Sequence, residues 1–136
     1  MRHLYFIALI LIISTQVWAD DLDPNVQVLA RTNHTWDEQL LPQYPQGQPE
    51  VTILEITIPA GAKLPLHMHP VINAGVLIQG ELTVTTEHNE VLVLKAGEAI
   101  VEVVNKWHYG QNHGPEPAKI IVFYAGIEDK PVTVSK

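Results

Sequence analysis

From residue 51 onward, short runs of β-branched and other apolar residues recur, and glycine, asparagine and proline interrupt them every few positions. Runs at 51–58, 63–67, 75–79, 81–86, 91–95, 100–104, 107–111 and 119–124, with a weaker one at 132–134, predict a many-stranded β domain. Gly61, Gly80, Asn89, Gly97, Asn105 and the 114–117 stretch supply the turn residues between them. No segment here sustains a helical period, and no fixed-length repeat is visible. The expected fold is therefore all-β, a double-sheet jelly roll over about residues 50–127.

The ends of the chain read differently. Met1-Arg2-His3 is followed by an apolar run from Leu4 to Ile13, then by Val17-Trp18-Ala19. That order of charge, apolar core and small residues predicts a secretory signal peptide over residues 1–19, cleaved after Ala19. The run is shorter than the roughly 20 residues a spanning helix needs, so a soluble periplasmic or secreted protein with no membrane partner is expected. Residues 20–49 are polar and broken by Pro24, Pro42, Pro45 and Pro49, and predict an extended N-terminal arm. Trp36, Leu40, Leu41 and Tyr44 anchor it, and of these Trp36, Leu40 and Tyr44 either close one mouth of the barrel or meet a second subunit. Residues 128–136 read as a C-terminal tail.

Composition narrows the chemistry. A chain of 136 residues supports one hydrophobic core. Its 8 Lys+Arg against 15 Asp+Glu give a formal charge of −7, which argues against nucleic acid as a partner. The chain has no cysteine, so disulfides, thiolate nucleophiles and thiolate metal sites are all excluded. Histidines, carboxylates and hydroxyls remain. His67 and His69 are two apart, which on a strand turns both imidazoles to one face. His108 lies in a distant β-like run and completes a three-nitrogen set if that strand pairs nearby. Such a set suits a divalent transition metal such as Fe, Mn, Ni, Cu or Zn.

The residues around these histidines resemble the two motifs of the cupin family. The first motif, glycine, five residues, His-x-His, three or four residues, glutamate, six residues, glycine, is matched in spacing by Gly61, His67-Met68-His69, position 73 and Gly80. The second, glycine, five residues, Pro-x-Gly, two residues, histidine, three residues, asparagine, is matched by Gly97, His108 and Asn112, with Val103 and Asn105 in place of proline and glycine. Asparagine tolerates the left-handed backbone better than other residues that carry a side chain. Sixteen residues, Glu81 to Ala96, separate the motifs.

The resemblance implies a cupin barrel, a double-stranded β-helix, with His67, His69 and His108 as metal ligands and homodimers as a common assembly. Where the motif carries its glutamate ligand, this chain has Asn73, expected to be a weak ligand or a hydrogen-bonding neighbour of the metal. Some cupin dioxygenases, such as those resembling cysteine dioxygenase, work with three histidines and no glutamate. A divalent ion held by three neutral imidazoles keeps its full charge and favours a small anionic, oxygen-bearing ligand. The expected function is a small exported metal-binding cupin, a quercetinase-like dioxygenase or an isomerase; the alternative is a non-catalytic periplasmic protein that captures a metal or small ligand.

Other residues carry expectations of their own. Trp107 and Tyr109 should face away from His108, and Asn112 should serve as a structural hydrogen-bonding group. Gln79 shares Asn73's face by alternation and either lines the cavity or is solvated at the Gly80 turn. Glu55, the one charged residue of its run, is either a buried acid or exposed; Leu54, Ile56 and Ile58 form the apolar face, which favours exposure. The Tyr124 ring should pack while its hydroxyl reaches water. His34, His88 and His113 read as solvated.

Overall fold

The β-branched runs become nine strands: β1 (Pro49–Ile58), β2 (His67–Met68), β3 (Ile72–Gln79), β4 (Glu81–Thr86), β5 (Val91–Lys95), β6 (Ala99–Val101), β7 (His108–Gln111), β8 (Ala118–Ile127) and β9 (Val134–Ser135). The structure, a computed structural model, describes residues 25–136; the leader expected over 1–19 and the start of the arm, 20–24, lie outside the described residues. Two antiparallel sheets, ordered β1-β8-β3-β6 and β5-β4-β7-β2-β9, pack face to face as the expected all-β jelly roll.

Strand alternation sorts side chains between core and surface. In β8, Ala118, Ile120, Val122 and Tyr124 are buried while Ile121 and Phe123 point out. The inward residues join Ile58, Leu77, Leu82, Val84, Leu94 and Ile100 in one cluster. Burying each large apolar side chain contributes roughly 1.5–3 kcal/mol.

Two expected runs and the tail change shape for local reasons. The 63–67 run is not a strand: Lys63 makes one bridge to Gln111, Leu64 donates its N–H to the Gly110 carbonyl, and Pro65 has no N–H to give a ladder. Regular pairing therefore begins at His67. The 100–104 run leaves the sheet after Val101, and Asn105 takes the left-handed backbone (φ 54°) that its place in the second motif requires. The 128–136 tail is part of the barrel, because Val134 and Ser135 pair with Met68 and His67.

Gly80 turns the chain from β3 into β4 with φ 77°. A Cβ there would also lie 3.0 Å from the Pro117 carbonyl oxygen, so both conformation and space call for glycine. The arm is tied down at Trp36 and Asp37. Trp36 packs against the core cluster and donates its backbone N–H to Val101, while Asp37 pairs with Lys106, which also meets Glu90 at 3.1 Å. Of the arm's other anchors, Leu40 and Tyr44 are largely exposed.

Asn112 locks the end of β7 to two other segments. Fully buried, it donates from Nδ2 to the carbonyls of Ile58 (3.1 Å), Pro59 (3.2 Å) and Glu116 (2.7 Å), and its Oδ1 accepts from Gly114 N (2.9 Å). Asn112→Ala strands these groups in the interior, so chemical denaturation should show a loss of roughly 2–4 kcal/mol, larger than for a typical surface substitution.

Candidate metal centre

Pairing of β2 with β7 sets His67 directly opposite His108, and His69, two residues on, returns to the same face. The three rings stand 4.5–5.0 Å apart between centroids. Each offers one nitrogen to a cluster whose members all lie within 4.8 Å of one another.

Backbone carbonyls fix which nitrogen that is. His67 Nδ1 lies 2.7 Å from Pro65 O, His69 Nδ1 2.9 Å from Val132 O, and His108 Nδ1 2.9 Å from Lys106 O. A carbonyl oxygen only accepts, so in each ring Nδ1 carries the proton and donates it. In the neutral ring Nε2 then bears the lone pair. All three imidazoles are thus held in the tautomer and orientation a metal ligand needs. Among the described residues, buried His108 Nε2 has no hydrogen-bond partner, an arrangement that a cation at this point would satisfy.

Desolvation holds all three imidazoles below their usual protonation range, His69 down to about 4, with His108 adding like-charge repulsion on His67 and His69. The rings are therefore neutral and available as ligands at neutral pH.

The cluster lines a cavity of about 250 Å³ between the sheets, walled mainly by Leu54, Ile56, Leu82, Ile120, Val122 and Tyr124. Asn73, 1% exposed on β3, lines it as well; its Nδ2 reaches Val71 O at 3.5 Å, and its Oδ1 has no partner. Glu102, just beyond β6, also faces the cavity, with Oε2 3.7 Å from His108 Nε2 and likewise without a hydrogen bond. Its burial pushes the carboxyl up to about 7, against the pull of His67.

The sequence reading did not single out Glu102. The signal was present, since Glu102 is the one charged residue in the apolar 100–104 run. Tyr124 corrects a second expectation. It is only 2% exposed, its ring meets His69 edge-on at 5.3 Å, and its hydroxyl faces Thr133, so the phenol belongs to the cavity and burial raises its pKa. Gln79 does not line the cavity. A register shift between Leu77 and Gln79 turns its side chain outward, where it donates to Pro117 O at 3.0 Å.

The remaining residues fall where alternation places them. Glu55 is exposed, as are His88 and His113, whereas His34 is half-buried. Trp107 and Tyr109 face away from the histidines, beneath Lys136 and Lys63 respectively.

With fold and site in view, comparison with known proteins identifies the class. Residues 54–124, just over half of the chain, match the Cupin domain family, and the chain belongs to that family. No curated protein matches the chain in sequence. Among solved structures, it is similar to the DMSP lyase DddQ of Ruegeria pomeroyi DSS-3, with 20% identity and a TM-score of 0.56 over 63% of this chain and 43% of that one. An oxalate oxidase in complex with the substrate analogue glycolate aligns at 26% identity and a TM-score of 0.53, covering 62% of this chain and 45% of that one. The oxalate decarboxylase of Bacillus subtilis, described for its Mn(II) centres, aligns at 26% and 0.54 over 62% of this chain and 23% of that one. The aligned region spans less than half the length of each of these proteins.

The buried imidazoles give the metal-free protein a pH dependence. Below about pH 6.5 the unfolded chain protonates three histidines that the folded chain protonates only at lower pH. Glu102 acts in the opposite sense, holding a proton in the folded chain between the ordinary carboxyl range and about 7. Net proton uptake on unfolding is therefore at most about two, and stability should fall between pH 7 and 5 by up to roughly 2.7 kcal/mol per pH unit. Denaturant melts of metal-free protein at pH 7, 6 and 5 measure this slope.

Proposed function

We propose that this cupin binds one divalent transition ion through His67, His69 and His108, and takes a small anionic oxygen-donor ligand beside it. The observation that carries the reading is the tethering of all three Nδ1–H groups to backbone carbonyls, which leaves three convergent Nε2 lone pairs. A bound ion would supply Lewis acidity and, if it is manganese or iron, redox chemistry. The chain's own residues do the rest. Leu54, Ile56, Ile120 and Val122 exclude water from the ligand's apolar side, and Asn73 presents an amide oxygen to its polar side.

The oxalate oxidase and the oxalate decarboxylase support small carboxylates as the ligand class and manganese as the first ion to test. In this reading the protein works outside the cytoplasm, supported by the leader pattern of residues 1–19. The exposed Val51, Ile53, Ile121 and Phe123 on the outer face of β1 and β8 support pairing with a second copy.

Purified wild-type protein should carry close to one transition ion per chain by elemental analysis, and His67→Ala/His69→Ala should carry none. Glycolate titrated into the manganese-loaded protein should bind, with no binding to the metal-free protein. Turnover of a small carboxylate that is lost in His69→Ala marks an enzyme; binding without turnover marks a capture protein. Metal-free wild type that takes up no ion on addition would contradict the reading.

A further inference from the structure

The pairing of β3 with β6 places a carboxylate beside the position where the family motif has lost one. Ala74 pairs with Val101, and one step further Glu102 donates its backbone N–H to Asn73 O at 3.1 Å. Residues 73 and 102 are thus cross-strand neighbours on one face, a relation that brings side chains within about 5 Å at the Cβ atoms. Both line the histidine cavity, and Asn73 is 1% and Glu102 9% exposed. Asn73 Oδ1, Glu102 Oε2 and His108 Nε2 are all buried without a hydrogen bond among the described residues.

From this placement we infer that Glu102 is a ligand of the same ion as the three histidines, its carboxylate coming from the residue that follows β6 rather than from β3. The inference rests on the three-histidine reading above.

The geometry separates this role from that of a structural acid. A carboxyl serving only to orient His108 would sit at hydrogen-bond distance, about 2.7–3.0 Å from the ring nitrogen. The observed separation is 3.7 Å. Two donors held about 2.1 Å from one ion, with 90–120° between them, lie about 3.0–3.6 Å apart, close to that distance. With Glu102 ionised, the ring lone pair and the carboxylate oxygen are both acceptors, so a shared cation reconciles them where a direct contact does not. Three imidazoles and one carboxylate also leave a divalent ion with one net positive charge rather than two, which matches a monoanionic ligand.

Wild type, Glu102→Gln and Glu102→Asp are compared for Mn(II) and Co(II) affinity by chelator competition, with the Co(II) visible spectrum as a direct view of the ligand set. The thermal midpoint of each metal-free variant reports on its fold. Loss of a ligand should weaken Glu102→Gln by roughly 100-fold or more, beyond the 10–100-fold typical of groups that only touch a ligand, and should change the Co(II) bands. Glu102→Asp keeps the charge on a shorter arm and should bind more tightly than Glu102→Gln. A structural acid gives the reverse order, because Gln preserves shape and Asp does not. Wild-type loading with Glu102→Gln affinity within about threefold of it, or Asp binding more weakly than Gln, would overturn this inference alone. Wild type that binds no metal would overturn the three-histidine reading and the inference with it.

Discussion

Three hydrogen bonds from imidazole Nδ1 groups to main-chain carbonyls organise this protein. Without them each ring could turn either nitrogen toward the cavity and take either tautomer; with them, one nitrogen of each ring is committed to the backbone and the other to a common point. The acceptors come from three separate places: Pro65 before β2, Lys106 before β7 and Val132 before β9. The tail therefore supplies part of the frame around His69. The arm does the same for His108 at one remove, since its Asp37, together with Glu90 from the turn between β4 and β5, holds the side chain of Lys106, whose carbonyl orients the ring.

That dependence extends to residues of the second motif that hold the histidines in place. Asn112, with Asn105 in its left-handed turn, fixes the segment that delivers His108, and Asn105 also donates its N–H to the carbonyl of His69. The cavity is mostly apolar, and its three histidines stand together. In such surroundings neutral imidazoles are favoured over charged ones, and an unpaired acceptor is costly.

Much of this was legible in the sequence because the signals are local. The bounds of β4 and β5 follow from apolar runs between turn residues, and the His-x-His spacing fixes a common face once a strand is granted. What escaped depends on tertiary register. Nothing in the 72–79 stretch announces the bulge that turns Gln79 outward, and the Tyr124 hydroxyl is enclosed by the returning tail rather than by its own strand. Glu102 was hidden for the same reason. A lone acid in an apolar run reads alike at Glu55, which is exposed, and at Glu102, which is buried, and strand parity relative to the core separates the two. The Asn73 substitution looked like the loss of a charge because the motif is read along the chain, whereas the cross-strand neighbour lies 29 positions away.

The central claim is that three imidazole nitrogens converge on one ion. X-ray absorption at the metal edge of the zinc- or manganese-loaded protein counts them directly, because imidazole rings give outer-shell scattering that carboxylates and water do not. The account predicts three imidazoles on a single ion, joined by oxygen donors. Fewer than three, or a nitrogen-free oxygen shell, would contradict it.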